Sequence, residues 1–204
     1  MAIQEMTLKQ AEMNRWIELS NKGIINAISG LSQMIGRHVE TTALRAKHIP
    51  IKHATDILGG PEACAVGVYL AVSGSANGHA LLVYEPKTAF ALIDMLMEIP
   101  PGSTNTLGEM EQSALGEMGN IMGSFFLNTL ADITGLKLCV SPPSVIMDMA
   151  GSILDAVLAD MMRDSDVAVI MEATFSTQDR QVNGTFLVLP SPDLQRALLG
   201  NGTR

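Results

Sequence analysis

Cysteine is scarce in this 204-residue chain: Cys64 and Cys139 lie far apart, each in an apolar run, with no Cys-x-x-Cys pair. That excludes a disulfide framework and predicts two buried thiols in a reducing, cytoplasmic compartment. Basic charge is short too. Thirteen Lys and Arg against 21 Asp and Glu leave a net charge of −8. Such a balance argues against a nucleic-acid groove or a polybasic membrane patch, since both need a local surplus of cations. The N-terminus lacks a basic region followed by an apolar one, so no signal peptide is expected. The longest run without Asp, Glu, Lys or Arg, Ala63 to Tyr84, is interrupted by Ser73-Gly-Ser-Ala-Asn-Gly78. That is turn chemistry, and it predicts two strands and a turn, with no membrane insertion. Familiar catalytic patterns are missing as well. His38, His48, His53 and His79 form no His-x-x-x-His or His-Glu-x-x-His pattern, and there is no Walker loop or Gly-x-Gly-x-x-Gly. No metal site and no self-contained catalytic centre are therefore expected.

What remains is a globular composition, 47% hydrophobic and 17% charged, and an internal repeat. Asn14-Arg-Trp-Ile-Glu18-Leu-Ser-Asn21 parallels Ser113-Ala-Leu-Gly-Glu117-Met-Gly-Asn120 at an offset of 99. Gly78-His-Ala-Leu-Leu-Val-Tyr-Glu-Pro86 parallels Gly184-Thr-Phe-Leu-Val-Leu-Pro-Ser-Pro192 at an offset of 106. The chain 1–204 thus reads as one domain of two repeats, about 7–98 and 107–200, with residues 99–106 as a Pro- and Gly-containing linker. Each repeat predicts a long helix, a strand, a short helical segment, two strands joined by a turn, and a closing helix. The expected strands are Val39–Leu44, Ala65–Val72, Gly78–Tyr84, Leu136–Val140, Val167–Phe175 and Gly184–Leu189, with helices at Lys87–Glu98, Ala150–Met162 and Asp193–Leu199. The expected fold is α+β: helix–strand repeats about a pseudo-twofold axis, a central, mostly antiparallel sheet, and two long helices presenting outward faces.

On a wheel at about 100° per residue, Ser113, Glu117 and Asn120 form one stripe, and Leu115, Met118, Met122, Phe125, Phe126 and Ile133 cluster on the opposite side. The stripe is therefore expected to face away from the core, continuing through Ser124, Leu127 and Ala131. A leucine among small residues there suggests a docking contact. In the first helix Asn14, Glu18 and Asn21 repeat the stripe, with Ile25 and Ile28 outward. Glu and Asn are ordinary solvated helix residues, but Asn is a mediocre helix former, and its recurrence at one place in both helices argues for a role.

The pattern Ser113-x₃-Glu117-x₂-Asn120-x₂₂-Pro143 resembles the signature of the CheC/CheX/FliY family of chemotaxis phosphatases. In the first repeat Glu18 and Asn21 match, while Asn14 stands in place of Asp or Ser and Leu44 in place of Pro. The duplicated layout is also similar to the family's CheC-like branch. CheX-type proteins typically carry a single active stripe and dimerise. FliY-like members carry an extra C-terminal domain, which the extent of the sequence does not predict. The resemblance implies a hydrolase acting on the aspartyl phosphate of a CheY-type response regulator, which brings its own Mg²⁺ and a lysine. Asn120 and Asn21 would then align the attacking water, because a carboxamide donates and accepts hydrogen bonds at once. Glu117 and Glu18 would engage the regulator's lysine, with Ser113, Pro143 and Asn14 as supports. The resemblance also implies a CheD-type receptor deamidase as partner, through Asp148, Met149, Ala150, Gly151 and the helix after them. The alternative is a module that mainly binds CheD, with weak or no phosphatase activity. A purely structural motor-switch role fits less well, since related middle domains lack Glu-x-x-Asn.

Overall fold

The computed structural model describes residues 2–161, 167–177 and 181–190. The N-terminal half supplies α1 (Ala2–Ile35), β1 (Glu40–Pro50), a 3₁₀ segment (Ile51–Leu58), β2 (Cys64–Gly74), β3 (Gly78–Tyr84) and α2 (Pro86–Leu96). The C-terminal half supplies α3 (Glu109–Thr134), β4 (Leu138–Val140), β5 (Ser144–Met149), α4 (Ala150–Met161), β6 (Val167–Ser176) and β7 (Gln181–Pro190). The helix expected at Asp193–Leu199 lies outside the described residues.

Seven strands form one sheet in the order β1-β6-β7-β3-β2-β4, with β5 also pairing β2, and every pairing is antiparallel. The two halves of the chain exchange strands: β1 lies against β6, and β4 and β5 lie against β2. At the centre β3 pairs β7, with Leu81 opposite Leu187.

The central strands are buried on both faces, which is why they read as continuous apolar runs rather than alternating ones. Val66, Val68, Leu70, Leu82, Phe186 and Val188 point into a core shared with α1, α2 and α3. Ala65, Leu81, Val83 and Leu187 point the other way, beneath Ile153, Leu154 and Val157 of α4. The mixed, antiparallel architecture agrees with the expectation, and helices cover both faces.

Three details depart from the sequence reading. β1 runs on to Pro50, past the expected end at Leu44. β5 has no counterpart among the expected strands. It exists because Ser141-Pro142-Pro143 interrupts the strand after β4: two prolines lack the N–H a ladder needs. Ser141 holds the break, its N–H donating to Ala71 O and its Oγ accepting from Ala71 N–H. Finally, Cys64 and Cys139 are exposed. One opens β2 and the other lies on the short outer strand β4, where an apolar sequence neighbourhood does not guarantee burial.

The segment after α2 is anchored back to that helix. Asp94, buried in α2, accepts hydrogen bonds from the backbone N–H groups of Gly102 (2.6 Å) and Thr104 (2.9 Å). Burial pushes its carboxyl up, but hydrogen bonding outweighs burial and holds it below the ordinary aspartate value. The Thr104 hydroxyl contributes from close range without reaching full hydrogen-bond geometry, alongside the amides of Thr104, Gly102 and Ser103. A depressed folded-state pKa contributes stability that is present above the unfolded-state value and is lost as pH falls through the folded one. Asp94→Ala is therefore expected to lower stability by about 2–3 kcal/mol at neutral pH, because it strands the buried Thr104 amide and removes the bond to Gly102. Thermal unfolding checks this. The gap between wild type and variant should narrow as pH drops below about 4.

Candidate functional site

Among the described residues no group of three or more His, Cys, Asp or Glu could hold a metal, and no helix is long and apolar enough to cross a membrane. The distinctive surface is the pair of long helices, α1 and α3, packed side by side. Gly23 and Gly30 of α1 set that contact. A Cβ on Gly23 would come within 2.5 Å of the Phe126 ring, and one on Gly30 within 2.8 Å of Phe125. Phe126 in turn meets Phe186 edge-on, with ring centroids 4.9 Å apart. Asn26 Nδ2 donates to Thr129 Oγ1 across the same seam at 2.8 Å.

The other buried side of α3 is made of glycine. A Cβ on Gly123 would lie 2.6 Å from Leu70, one on Gly119 would collide with Val68, and one on Gly116 would rest 3.4 Å from the Pro143 ring. Three glycines at 116, 119 and 123 thus seat the helix directly on β2 and beside the proline break. Pro143, half-buried, packs one residue away from Glu117.

This corrects the wheel. The Leu, Met and Phe positions alone place the core opposite the stripe. The glycine positions, at about −60° to −120° from Ser113, are buried as well, so the buried arc extends round towards Asn120. Leu127, expected outward as a docking residue, is only 3% exposed, and Ile28 at the equivalent place in α1 only 2%. Phe125 is half-buried, and Ile133, expected inward, is 42% exposed in the last turn before Gly135. Glycine carries no hydrophobic weight, yet it permits the closest helix–sheet approach. The spacing of Gly116, Gly119 and Gly123 was the signal to be read.

The remaining candidates sit as follows. Ser113 and Glu117 are exposed on α3, and Asn120 is half-buried at the rim of the sheet-facing side. In α1, Asn14 and Glu18 are exposed and Asn21 is half-buried, with its carboxamide Oδ1 buried and without a partner. Glu18 accepts a hydrogen bond from Lys22 Nζ at 2.7 Å. That contact, and the charges of Lys22 and Arg15, hold the Glu18 carboxyl below the ordinary glutamate value. Leu44 does not occupy a break like that at Pro143. It lies inside the continuous β1, opposite Ala173 and packed on the helical-layer core. Asp148 and Met149 are exposed on β5, while Ala150 is buried and Gly151 rests on Pro61. These four lie with β5 and α4, apart from the two stripes in the chain.

Residues 110–147, from α3 through Pro143 into β5, match the CheC-like family. The chain is also 27% identical over 190 residues to the CheY-P phosphatase CheC of Bacillus subtilis, covering 91% of each chain. Both matches support the resemblance to the CheC/CheX/FliY family carried by the Ser113, Glu117, Asn120 and Pro143 pattern. Solved structures share the family fold. FliY of Thermotoga maritima superposes with a TM-score of 0.73 at 21% identity, covering 95% of this chain and 96% of that one. The CheX in the CheX–CheY–BeF₃–Mg²⁺ complex of Borrelia burgdorferi has a TM-score of 0.55 at 17% identity, covering 84% and 97%. The CheC-like match contains Ser113, Glu117, Asn120 and Pro143 together, and with them the glycines that seat α3.

Proposed function

We propose that this chain hydrolyses the aspartyl phosphate of a phosphorylated CheY-type response regulator, using an α3 face that docks the regulator and aligns a water. The observation that carries this reading is the placement of Glu117 and Asn120. They stand on one accessible stripe of a helix seated by glycine on the central sheet beside Pro143. The name of the Bacillus relative and the CheX–CheY complex support a CheY-type substrate.

An acyl phosphate is already activated, so the missing ingredient is a water in line with phosphorus. The Asn120 carboxamide can accept from that water and donate to a phosphoryl oxygen, fixing its approach. Glu117 pairs with the regulator's lysine, which sets the docked register. Ser113 lies at the rim of the contact, and Pro143 braces the helix at Gly116. The regulator supplies Mg²⁺, which neutralises phosphoryl charge, and this chain supplies no ligand to it. Glu18 and Asn21, with Asn14 beside them, form a second stripe on α1.

We read residues 1–204 as one domain of two repeats, about 7–98 and 107–200. The pairing of Leu81 with Leu187, its own counterpart at the 106-residue offset, supports a pseudo-twofold axis between β3 and β7. The direct test is phosphate release from a phosphorylated CheY-type regulator with and without the protein. No acceleration at saturating protein would refute the reading.

A second reading has its own observation. β5 pairs only with β2 among the described strands and leaves Ile146, Met147, Asp148 and Met149 exposed. Such an edge fits a protein partner, and a CheD-type deamidase is the one the family resemblance implies. Ile153, Leu154 and Val157 of the following helix are buried, so the contact would use the strand and not that face. Asp148→Lys, on an exposed side chain, is expected to abolish CheD capture while leaving phosphate release unchanged. Retained capture removes this assignment.

A further inference from the structure

The two stripes differ in charge, at positions outside the family signature. Lys22, one turn beyond Glu18, places its ammonium 2.7 Å from the Glu18 carboxylate, and Arg15 lies one residue after Asn14. The corresponding positions in α3, 99 residues on, are Ala114 and Ile121, both uncharged. Nothing of this kind therefore covers Glu117 from its own helix. A carboxylate offered to a partner's lysine is useful when unoccupied, and a resident ammonium fills the same place. An incoming ammonium must displace Lys22 or sit beside it, and like charges brought together at an interface are repelled. A second observation agrees: the Asn21 carboxamide oxygen is buried and unpartnered, so it is not offered at the surface of the stripe.

We infer that Lys22 is a specificity-determining residue that keeps the α1 stripe paired to itself and directs the regulator to the α3 stripe. The consequence for turnover rests on the phosphatase reading above; the self-pairing does not. The ammonium sits on the carboxylate rather than on a phosphate-binding surface, so its removal should open the stripe and not cripple it.

The test uses the full chain with the α3 stripe silenced by Glu117→Ala and Asn120→Ala, so that only α1 engages the regulator. Into this background go Lys22→Ile, copying α3, and Lys22→Gln, which removes charge without adding apolar surface. The probes are a beryllofluoride-activated CheY-type regulator for affinity and its phosphorylated form for phosphate release. Both variants are expected to lower Kd and KM about fivefold with kcat within about twofold, the scale of relieving one like-charge contact. The gain should shrink as salt rises from about 0.05 to 0.5 M, because an exposed charge contact is screened. Unchanged or weaker affinity in both variants overturns the inference, and so does a fall in kcat that marks Lys22 as a phosphate contact. Should affinity rise in protein that never accelerates phosphate release, the phosphatase reading fails while the self-pairing stands. Normal wild-type release with unmoved affinity in the variants does the opposite: the self-pairing fails and the phosphatase reading stands.

Discussion

Asn120→Ala is expected to reduce regulator dephosphorylation by about 10- to 100-fold, and Asn21→Ala by no more than about threefold. The contribution claimed for each amide is alignment of a water, which tolerates little displacement: about 1 Å of misplacement can cost a hundredfold. The two helices are not held equally. Around Asn120, Gly119 and Gly123 leave no side chain between α3 and β2, and the Pro143 ring rests at Gly116. At the corresponding places α1 has Ile17, Ser20 and Ile24, and the buried Ser20 hydroxyl lacks a partner. The first repeat also has Leu44 in an unbroken strand where the signature has a proline. Glu18 and Glu117 are both exposed, but the α3 stripe is the better braced. Phosphate release from the single and double variants decides the matter. The double variant should fall to the regulator's own rate. Equal single losses would show that these differences are harmless, and a larger loss from Asn21→Ala would reverse the ranking. Asn120 is only half-buried, so its removal should leave the melting temperature almost unchanged.

Gly119→Ala is expected to damage stability and activity together, whereas Gly116→Ala should do neither. Both changes add one methyl group to the same helix, and each gains about 1 kcal/mol of helix propensity. The surroundings decide the sign. A methyl at 119 runs into Val68, a β-branched, fully buried strand residue with one preferred rotamer, and Leu82 waits at 3.6 Å. Overpacking costs about 1–3 kcal/mol, and a clash with a rigid, fully buried side chain belongs at the upper end, about 2–3. After the propensity gain the net loss is about 1–2 kcal/mol, seen as a melting temperature lower by about 2–8 °C. The helix relieves the clash by lifting off β2 at the residue before Asn120, and dephosphorylation should drop by more than about tenfold. A methyl at 116 meets Pro143 at 3.4 Å, an ordinary contact. Truncating the obstacle, Val68→Ala in the Gly119→Ala background, should restore activity more fully than stability, since it leaves its own deficit in the core. Indistinguishable behaviour of the two glycine variants would show that helix seating does not position the amide.

The sequence by itself determined most of the described helices and strands in their order, and it placed both Glu-x-x-Asn patterns on long helices. Those features are written in local chemistry: 3.6-residue periodicity, β-branched runs, turn residues and the repeat. The turn at Ser73–Gly78 was legible for the same reason, and it separates β2 from β3 as expected. What the sequence could not determine was which side of each helix meets which neighbour. A hydrophobicity pattern weighs large apolar residues, so it located the Leu115, Met118 and Met122 side of α3 and missed the glycine side against β2. That pattern puts Leu127 and Ile28 outward, and both are buried. Strand exchange between the two halves of the chain was equally invisible, because β1 finds β6 and β5 finds β2 across 75 or more positions of chain. The exposure of Cys64 and Cys139 follows from where β2 begins and where β4 lies in that sheet. Only the tertiary structure showed that Lys22 already occupies Glu18. An exposed i, i+4 pair costs little to break or make, so the sequence allows either state, and the side-chain geometry decides between them.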